Sequence, residues 1–405
     1  MKYILLFAFI ALCSCSTTSG LSSHYVNVEE DYPEKEFFSS YACVRLSPST
    51  PMISEICDLR ISDDKIFVSD KTSKVFVFTM KGDFLNVLDK RGRGPNEYIQ
   101  ISDFDIDNDK IYVLSRPQKR VYVYSSDCHH LDTYELNDYY NGLRILSDGN
   151  LCLASANCND QQYNYLIYDV RTKTYTNRYL PFSRNESMLV SCYHPFLGRA
   201  GDTLYINNPY STVITELRGK EIGWTKSYSF NTKEQLPDMP SDYTFEQLHK
   251  DYANKRTVRN LSLYCRTDAY EYIGYELFGE YGLSFYLTQI DKADASKTMM
   301  SLNDIDKNFP YISLPCSVKG KSLVSAMSAS RILNLEKNGK LSKFKSEGLQ
   351  DSDNPVVFIH RSRELFFYIR YIFQFLLFRC LCIILKVLFF YHWSLVFVRQ
   401  FILIR

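Results

Sequence analysis

The chain is poor in the signatures that mark a chemistry at a glance. It has no CxxC pair, so a zinc ribbon is not supported, and the cysteines from Cys43 to Cys382 fall at irregular spacings. No G-x-S-x-G elbow, no H-E-x-x-H helix and no dinucleotide fingerprint is present. Charge of one sign is also missing. The formal net charge is +1, whereas nucleic-acid binders usually carry a basic excess or stripe, so a polyanion partner is argued against. Beyond His360 the chain is rich in Phe, Leu, Ile and Tyr, yet Arg370, Arg379, Lys386 and Arg399 interrupt it. Its longest charge-free run, Val387 to Val398, is shorter than the roughly 20 residues a spanning helix needs.

Aromatic side chains are plentiful. Of 405 residues 32 are Tyr and 27 are Phe, which suits half-buried pleated surfaces better than helices. The stretch Asp63-Asp64-Lys65-Ile66-Phe67-Val68-Ser69-Asp70 returns as Asn108-Asp109-Lys110-Ile111-Tyr112-Val113-Leu114-Ser115, the same polar turn running into the same strand. Strong strands begin at Ile66, Ile111, Leu151 and Leu204, roughly 40 to 50 residues apart, the period of propeller blades. The expected fold is all-β: a six-bladed β-propeller over residues 36–360. The fifth blade is delayed by an insertion that Ser241 and Asp242 can cap as a helix to about Lys255, with Phe245, Leu248 and Tyr252 on one face. In the sixth, Ile312 to Leu314 reads as a strand and Ala329 to Lys345 as helical. An open ring would expose pairing edges, so the N-terminal strand Phe38 to Leu46 is expected to lie beside the last blade and close it.

The N-terminus reads as an export signal. Met1-Lys2 precedes an apolar run from Ile4 to Leu12, then Leu12-Cys13-Ser14-Cys15 and a small polar stretch. The alternatives are an uncleaved anchor or a plain secretory peptide. Residues 1–15 are taken as signal and residues 16–35 as linker. For residues 361–405 three readings stand: a membrane segment, an interfacial segment, or out-of-frame translation, with the last preferred.

Taken together, these residues resemble bacterial six-bladed β-propeller lipoproteins with NHL- and TolB-like blades. The likeness rests on the lipobox at Cys15, on Gly92-Arg93-Gly94-Pro95-Asn96-Glu97-Tyr98 after the first blade, and on Asp353-Asn354-Pro355-Val356-Val357 near the end, and it covers about residues 30 to 360. It implies lipidation of Cys15 and an outer-membrane, periplasm-facing address. It implies no activity.

The run Lys90 to Tyr98 is the first place to look for a site. Glycines let backbone approach a ligand, and Arg91 and Arg93 suit a carboxylate, sulfate or phosphate, with Glu97 and Tyr98 beside them. The competing and preferred reading is a connector between blades, in which the glycines take positive φ and Glu97 pairs with an arginine. His194, before Pro195, is a candidate for reaching the central channel. Cys128-His129-His130 is a solvated turn, since neighbouring strand residues face opposite ways and cannot easily share one ion. Asp103, Asp105, Asp107 and Asp109 lack the glycine and glutamate of a calcium loop and fit a strand with acids on its solvent face. Metal and cofactor are expected to be none. The function expected is an envelope lipoprotein whose propeller binds a protein, glycan or peptide ligand without catalysis; the alternative is a propeller lyase or hydrolase acting on glycans or peptides.

Overall fold

The computed structural model describes residues 22–26, 40–48, 51–62, 64–182, 195–230, 247, 250, 258–279, 282–301, 316–319, 322–339 and 346–361. Six sheets carry the chain. The first blade is β3 (Ile56–Ile61), β4 (Lys65–Asp70), β5 (Val75–Thr79) and β6 (Phe84–Leu88). The second is β7 (Asp103–Asp107), β8 (Lys110–Ser115), β9 (Arg120–Ser125) and β10 (His130–Glu135), and the third β11 (Gly142–Ile145), β12 (Leu151–Ala154), β13 (Tyr163–Asp169) and β14 (Thr174–Pro181). Blade four holds β15 (Phe196–Ala200), β16 (Thr203–Ile206), β17 (Val213–Arg218) and β18 (Glu221–Phe230). Blade five holds β19 (Val258–Arg266), β20 (Tyr270–Gly279), β21 (Gly282–Asp291) and β22 (Lys297–Ser301). The sixth blade is β23 (Cys316–Lys319), β24 (Ser322–Met327), β25 (Val356–Arg361) and, as its outer strand, β2 (Ser40–Arg45). The innermost strands β3, β7, β11, β15, β19 and β23 approach one another around the axis.

The six-bladed all-β architecture is therefore as expected, and so is its closure. β2 pairs antiparallel with β25, Cys43 opposite Phe358. Asn354 of the Asp353 to Val357 motif clasps the join: its side-chain amide donates to the Ser47 carbonyl at 2.8 Å, and its carbonyl oxygen accepts from the Ile53 N–H at 2.9 Å. On the other side Gly82, at φ +93°, lets the turn between β5 and β6 pass against the Arg45 carbonyl, where a Cβ would collide. The Ser47 N–H bonds the Gly82 carbonyl at 2.8 Å.

Middle strands are buried on both faces because each blade is sandwiched between two others. Val75, Phe76, Val77 and Phe78 of β5 are all closed to solvent, which is why they form a continuous apolar run rather than an alternation. Blades one and two share a cluster of Phe67, Val77, Tyr98, Phe104, Tyr122 and Tyr124. Between blades four and five Tyr205 and Tyr264 meet edge to face at 4.7 Å, a geometry the ring quadrupoles favour.

Four details differ from the expectations. Ser22–Val26, inside the stretch read as linker, forms β1, which pairs parallel to the outer edge of β18. The inner strand of blade four, Phe196–Ala200, was not anticipated, because Gly198 and Arg199 break its apolar run. In blade six the inner strand is Cys316–Lys319, while Ile312 to Leu314 lies outside the described residues. The helix α1 spans Ala329–Lys337, shorter than expected, with Ser328 as N-cap accepting from the Arg331 N–H. Of the insertion between blades four and five, Gln247 and Lys250 are described and are helical. Cys152 is a free, buried thiol. Among the described residues no helix is long and apolar enough to cross a membrane.

Candidate functional site

A cavity of about 550 Å³ opens at the mouth of the ring where each blade hands over to the next. It lies over the starts of the inner strands: Asp58 of β3, Asp103 of β7, Arg144 of β11 and Pro195 just before β15 all line it. Ser328 and Arg331 of the α1 cap and first turn form part of its wall. The volume is in the range of small-molecule sites.

Asp58, Asp103 and Arg144 of its lining belong to a network of charge drawn from four blades. Arg60 of β3 meets Asp58 at 2.5 Å, Asp103 at 3.2 Å and Asp105 at 3.6 Å. Arg144 reaches Asp103 at 2.9 Å and Arg199 reaches Asp105 at 3.2 Å. Two of these guanidiniums also sit over rings, Arg60 over Phe104 at 5.3 Å and Arg144 over Phe196 at 4.7 Å. The aspartates do more than balance charge. Asp103 and Asp105 accept the Leu143 and Ile145 N–H groups at 2.8 Å each, so they satisfy the free edge of β11 that an inner strand would otherwise leave bare.

Burial works against the charge on Arg60, but Asp58, Asp103 and Asp105 outweigh it and raise its pKa. For Asp103 burial dominates and pushes the carboxyl upward, against the pull of Arg144 and Arg60. Cys57, at the cavity rim, is likewise pushed up by burial and by Asp70, Glu55 and Asp58 around it, so its thiolate is disfavoured.

The expectation that Asp103 and Asp105 lie on a solvent face is corrected here. They are 9% and 3% exposed and point toward the axis, because β7 is an innermost strand. Asp58, Arg60, Arg144 and Arg199 escaped the sequence reading altogether. The available signal was charge alternating along the first strand of a blade, as in Asp58-Leu59-Arg60 and Asp103-Phe104-Asp105.

The Lys90 to Tyr98 loop is elsewhere, joining β6 to β7 at the seam of blades one and two. Tyr98 is fully buried; its hydroxyl is within reach of the Ser73 and Leu88 carbonyls at 3.0 and 3.1 Å and accepts from the Lys90 N–H at 3.3 Å. Glu97 accepts the Gly94 N–H at 2.8 Å and pairs with no arginine among the described residues. Gly92 and Gly94 do not take positive φ. They leave room for the Glu97 carboxylate, which a Cβ at Gly92 would strike. Arg91 and Arg93 are exposed, and none of Arg91, Arg93, Glu97 and Tyr98 lines the cavity. His194 and Cys15 lie outside the described residues, although Pro195, next to His194, does line the cavity. Among the described residues no group of three or more His, Cys, Asp or Glu could hold a metal ion.

Six blades around a polar mouth define a six-bladed β-propeller. The chain belongs to the DUF4934 family, a domain of unknown function, which it matches over residues 24–361. It is similar in structure to a protein of Bacteroides fragilis NCTC 9343 to which export is ascribed, with TM-score 0.67 and 17% identity over 85% of this chain and 100% of that one. A member of the DUF4221 family from Bacteroides vulgatus ATCC 8482 matches at TM-score 0.47 and 13% identity, covering 80% of this chain and 97% of the other. No curated protein matches.

Proposed function

We propose that this chain is an exported, lipid-anchored propeller that holds a small polar ligand at the mouth of the ring. The observation that carries this is the cavity itself, open, polar and built by residues from several blades. The signal segment ending at Cys15 supports the envelope address, as does the export ascribed to the Bacteroides fragilis neighbour. In this reading Cys15 carries the lipid, the propeller faces the periplasm from the outer membrane, the blades are NHL- and TolB-like in kind, and the ligand comes from an envelope glycan, peptide or protein. Arg91 and Arg93 are a secondary contact for a protein partner.

Catalysis is the second reading, because arginines and carboxylates do converge in the channel. Binding is preferred over it since Asp103 and Asp105 are already committed to arginines and to backbone N–H groups, which leaves them poorly suited to proton transfer.

The test uses the full chain. Ser54 lines the cavity and is exposed, so Ser54→Trp fills the mouth without opening the core. A panel of small saccharides and peptides is screened by thermal shift against wild type and this variant, with product analysis by chromatography. Ligands that stabilise wild type and not Ser54→Trp, and are recovered unchanged, are expected. Equal shifts in both proteins would remove the mouth as the site, and converted ligands would favour the lyase or hydrolase. Separately, Cys15→Ala should abolish incorporation of labelled palmitate in cells.

A further inference from the structure

The charges around the cavity are spent on one another with one exception. Asp58, Asp103 and Asp105 stand against Arg60, Arg144 and Arg199, and Glu55 is paired with Lys71. Arg331 lines the same cavity and its guanidinium has no ion pair or hydrogen bond among the described residues. Arg331 is exposed, and its partial burial lowers its pKa with no neighbouring charge contributing. Being solvated it costs the free protein little, and a guanidinium on the cavity wall with no counter-charge is available to an anionic ligand.

The helix that carries it is well fixed. Ser328 caps α1 through the Arg331 N–H at 3.3 Å, and Ile332 and Leu335 are buried against Met327, Val356 and Phe358. Arg331 therefore projects from a rigid element, as a recognition group must. Hydroxyl and amide groups of Ser54, Ser102, Ser328 and Asn141 line it beside Arg144, and Ile56, Ile101, Pro195, Ala326, Met327 and Pro355 supply the apolar part of the wall. Phe104, the aromatic ring in the lining, is fully buried and covered by Arg60, so its face is not open to an apolar side chain. The β11 edge that an extended peptide would pair with is taken by Asp103 and Asp105.

We infer that the mouth binds a small polyhydroxylated carboxylate, a sugar acid, with Arg331 as the residue that takes its carboxylate. This rests on the mouth being the binding site. The planar guanidinium offers two parallel N–H donors to a carboxylate, the polar part of the wall presents hydrogen-bonding groups to hydroxyls, and the site accepts one negative charge before it becomes repulsive.

The experiment titrates the full chain by calorimetry with a disaccharide ending in glucuronic acid, its neutral glucose counterpart, a glucose-6-sulfate and a triglutamate peptide. Wild type should bind the glucuronate at least tenfold more tightly than the neutral sugar. Arg331→Gln, at unchanged melting temperature, should erase that preference while leaving the weak neutral binding, and Arg331→Lys should restore part of it. Equal affinity for acidic and neutral sugar, lost together in Ser54→Trp and untouched in Arg331→Gln, would overturn the role of Arg331 and leave the mouth reading standing. Tighter Arg331-dependent binding of the sulfate or the peptide, or no binding of any of the four, would overturn the sugar-acid assignment.

Discussion

Two regions of this propeller concentrate arginine, and they treat it in opposite ways. At the axis Arg60 and Arg144 are nearly closed to solvent, and each is held by aspartates from its own or the next blade. At the seam of blades one and two Arg91 and Arg93 stand in solvent, while Tyr98 and the Glu97 carboxylate organise the loop beneath them. A buried charge has to be paired and hydrogen-bonded to be tolerated, so the axial arginines are tied to architecture. The exposed ones are free of it. The conspicuous sequence motif thus marks a joint, and the inconspicuous scattered residues mark the mouth.

Removing one partner at the axis gives the largest expected effect. Asp103→Ala leaves Arg60 and Arg144 short of a counter-ion and the Leu143 N–H without an acceptor, which should cost about 3–5 kcal/mol. Urea unfolding at pH 7 measures it. A loss below about 1 kcal/mol would mean that the axial pairs behave like surface pairs, and the contrast between the regions would collapse.

A buried base offers the opposite solution to buried charge, and pH separates the two. His360 is fully buried beside Ser325, its Nε2 at 3.1 Å from the hydroxyl, and burial pushes its pKa down to about 3. The folded protein keeps it neutral, whereas the unfolded chain takes up a proton below about pH 6.5. Its stability contribution is intact above that value and falls by roughly 1.4 kcal/mol per pH unit on the way down to the folded pKa. Between pH 7 and pH 5 the loss should be about 2 kcal/mol. His360→Leu should flatten this part of the urea-stability profile, and an unchanged slope would assign the acid sensitivity to the carboxylates instead.

At the seam the expected effects are smaller and come from backbone contacts. Tyr98→Phe keeps the ring in its cluster but leaves the Lys90 N–H and the Ser73 and Leu88 carbonyls without their shared hydroxyl. A loss of about 1–3 kcal/mol is expected from the buried groups so exposed to non-bonding. Thermal melts of the variant check it, with ligand affinity at the mouth unchanged.

The same contrast explains what could be read in advance. The strand from Ile66 in blade one was legible, because it is followed by a turn with its own chemistry: Asp70 accepts the Thr72 and Lys74 N–H groups. The closing strand followed from the need to cover an edge. The axial cluster was not legible. Its members Asp58, Arg60, Asp103, Asp105, Arg144 and Arg199 come from four inner strands, and only the ring brings them together. Arg331 is harder still, since its significance is the lack of a partner among the described residues.

The smallest effect is expected where the sequence drew most attention. Arg91→Ala with Arg93→Ala removes two exposed guanidiniums from a loop whose shape is set by Glu97, the glycines and the Arg91–Tyr98 bridge of backbone. Stability should change by less than about 0.5 kcal/mol, the usual range for surface positions, and binding of a mouth ligand should be unaltered. Recovery of a protein partner from native membranes is the sharper measurement. If the double variant loses that partner at an unchanged melting temperature, the seam is a docking surface in its own right and the two arginine-rich regions serve two different ligands. If it keeps the partner, the exposed pair is solvated surface, and recognition belongs to the mouth alone.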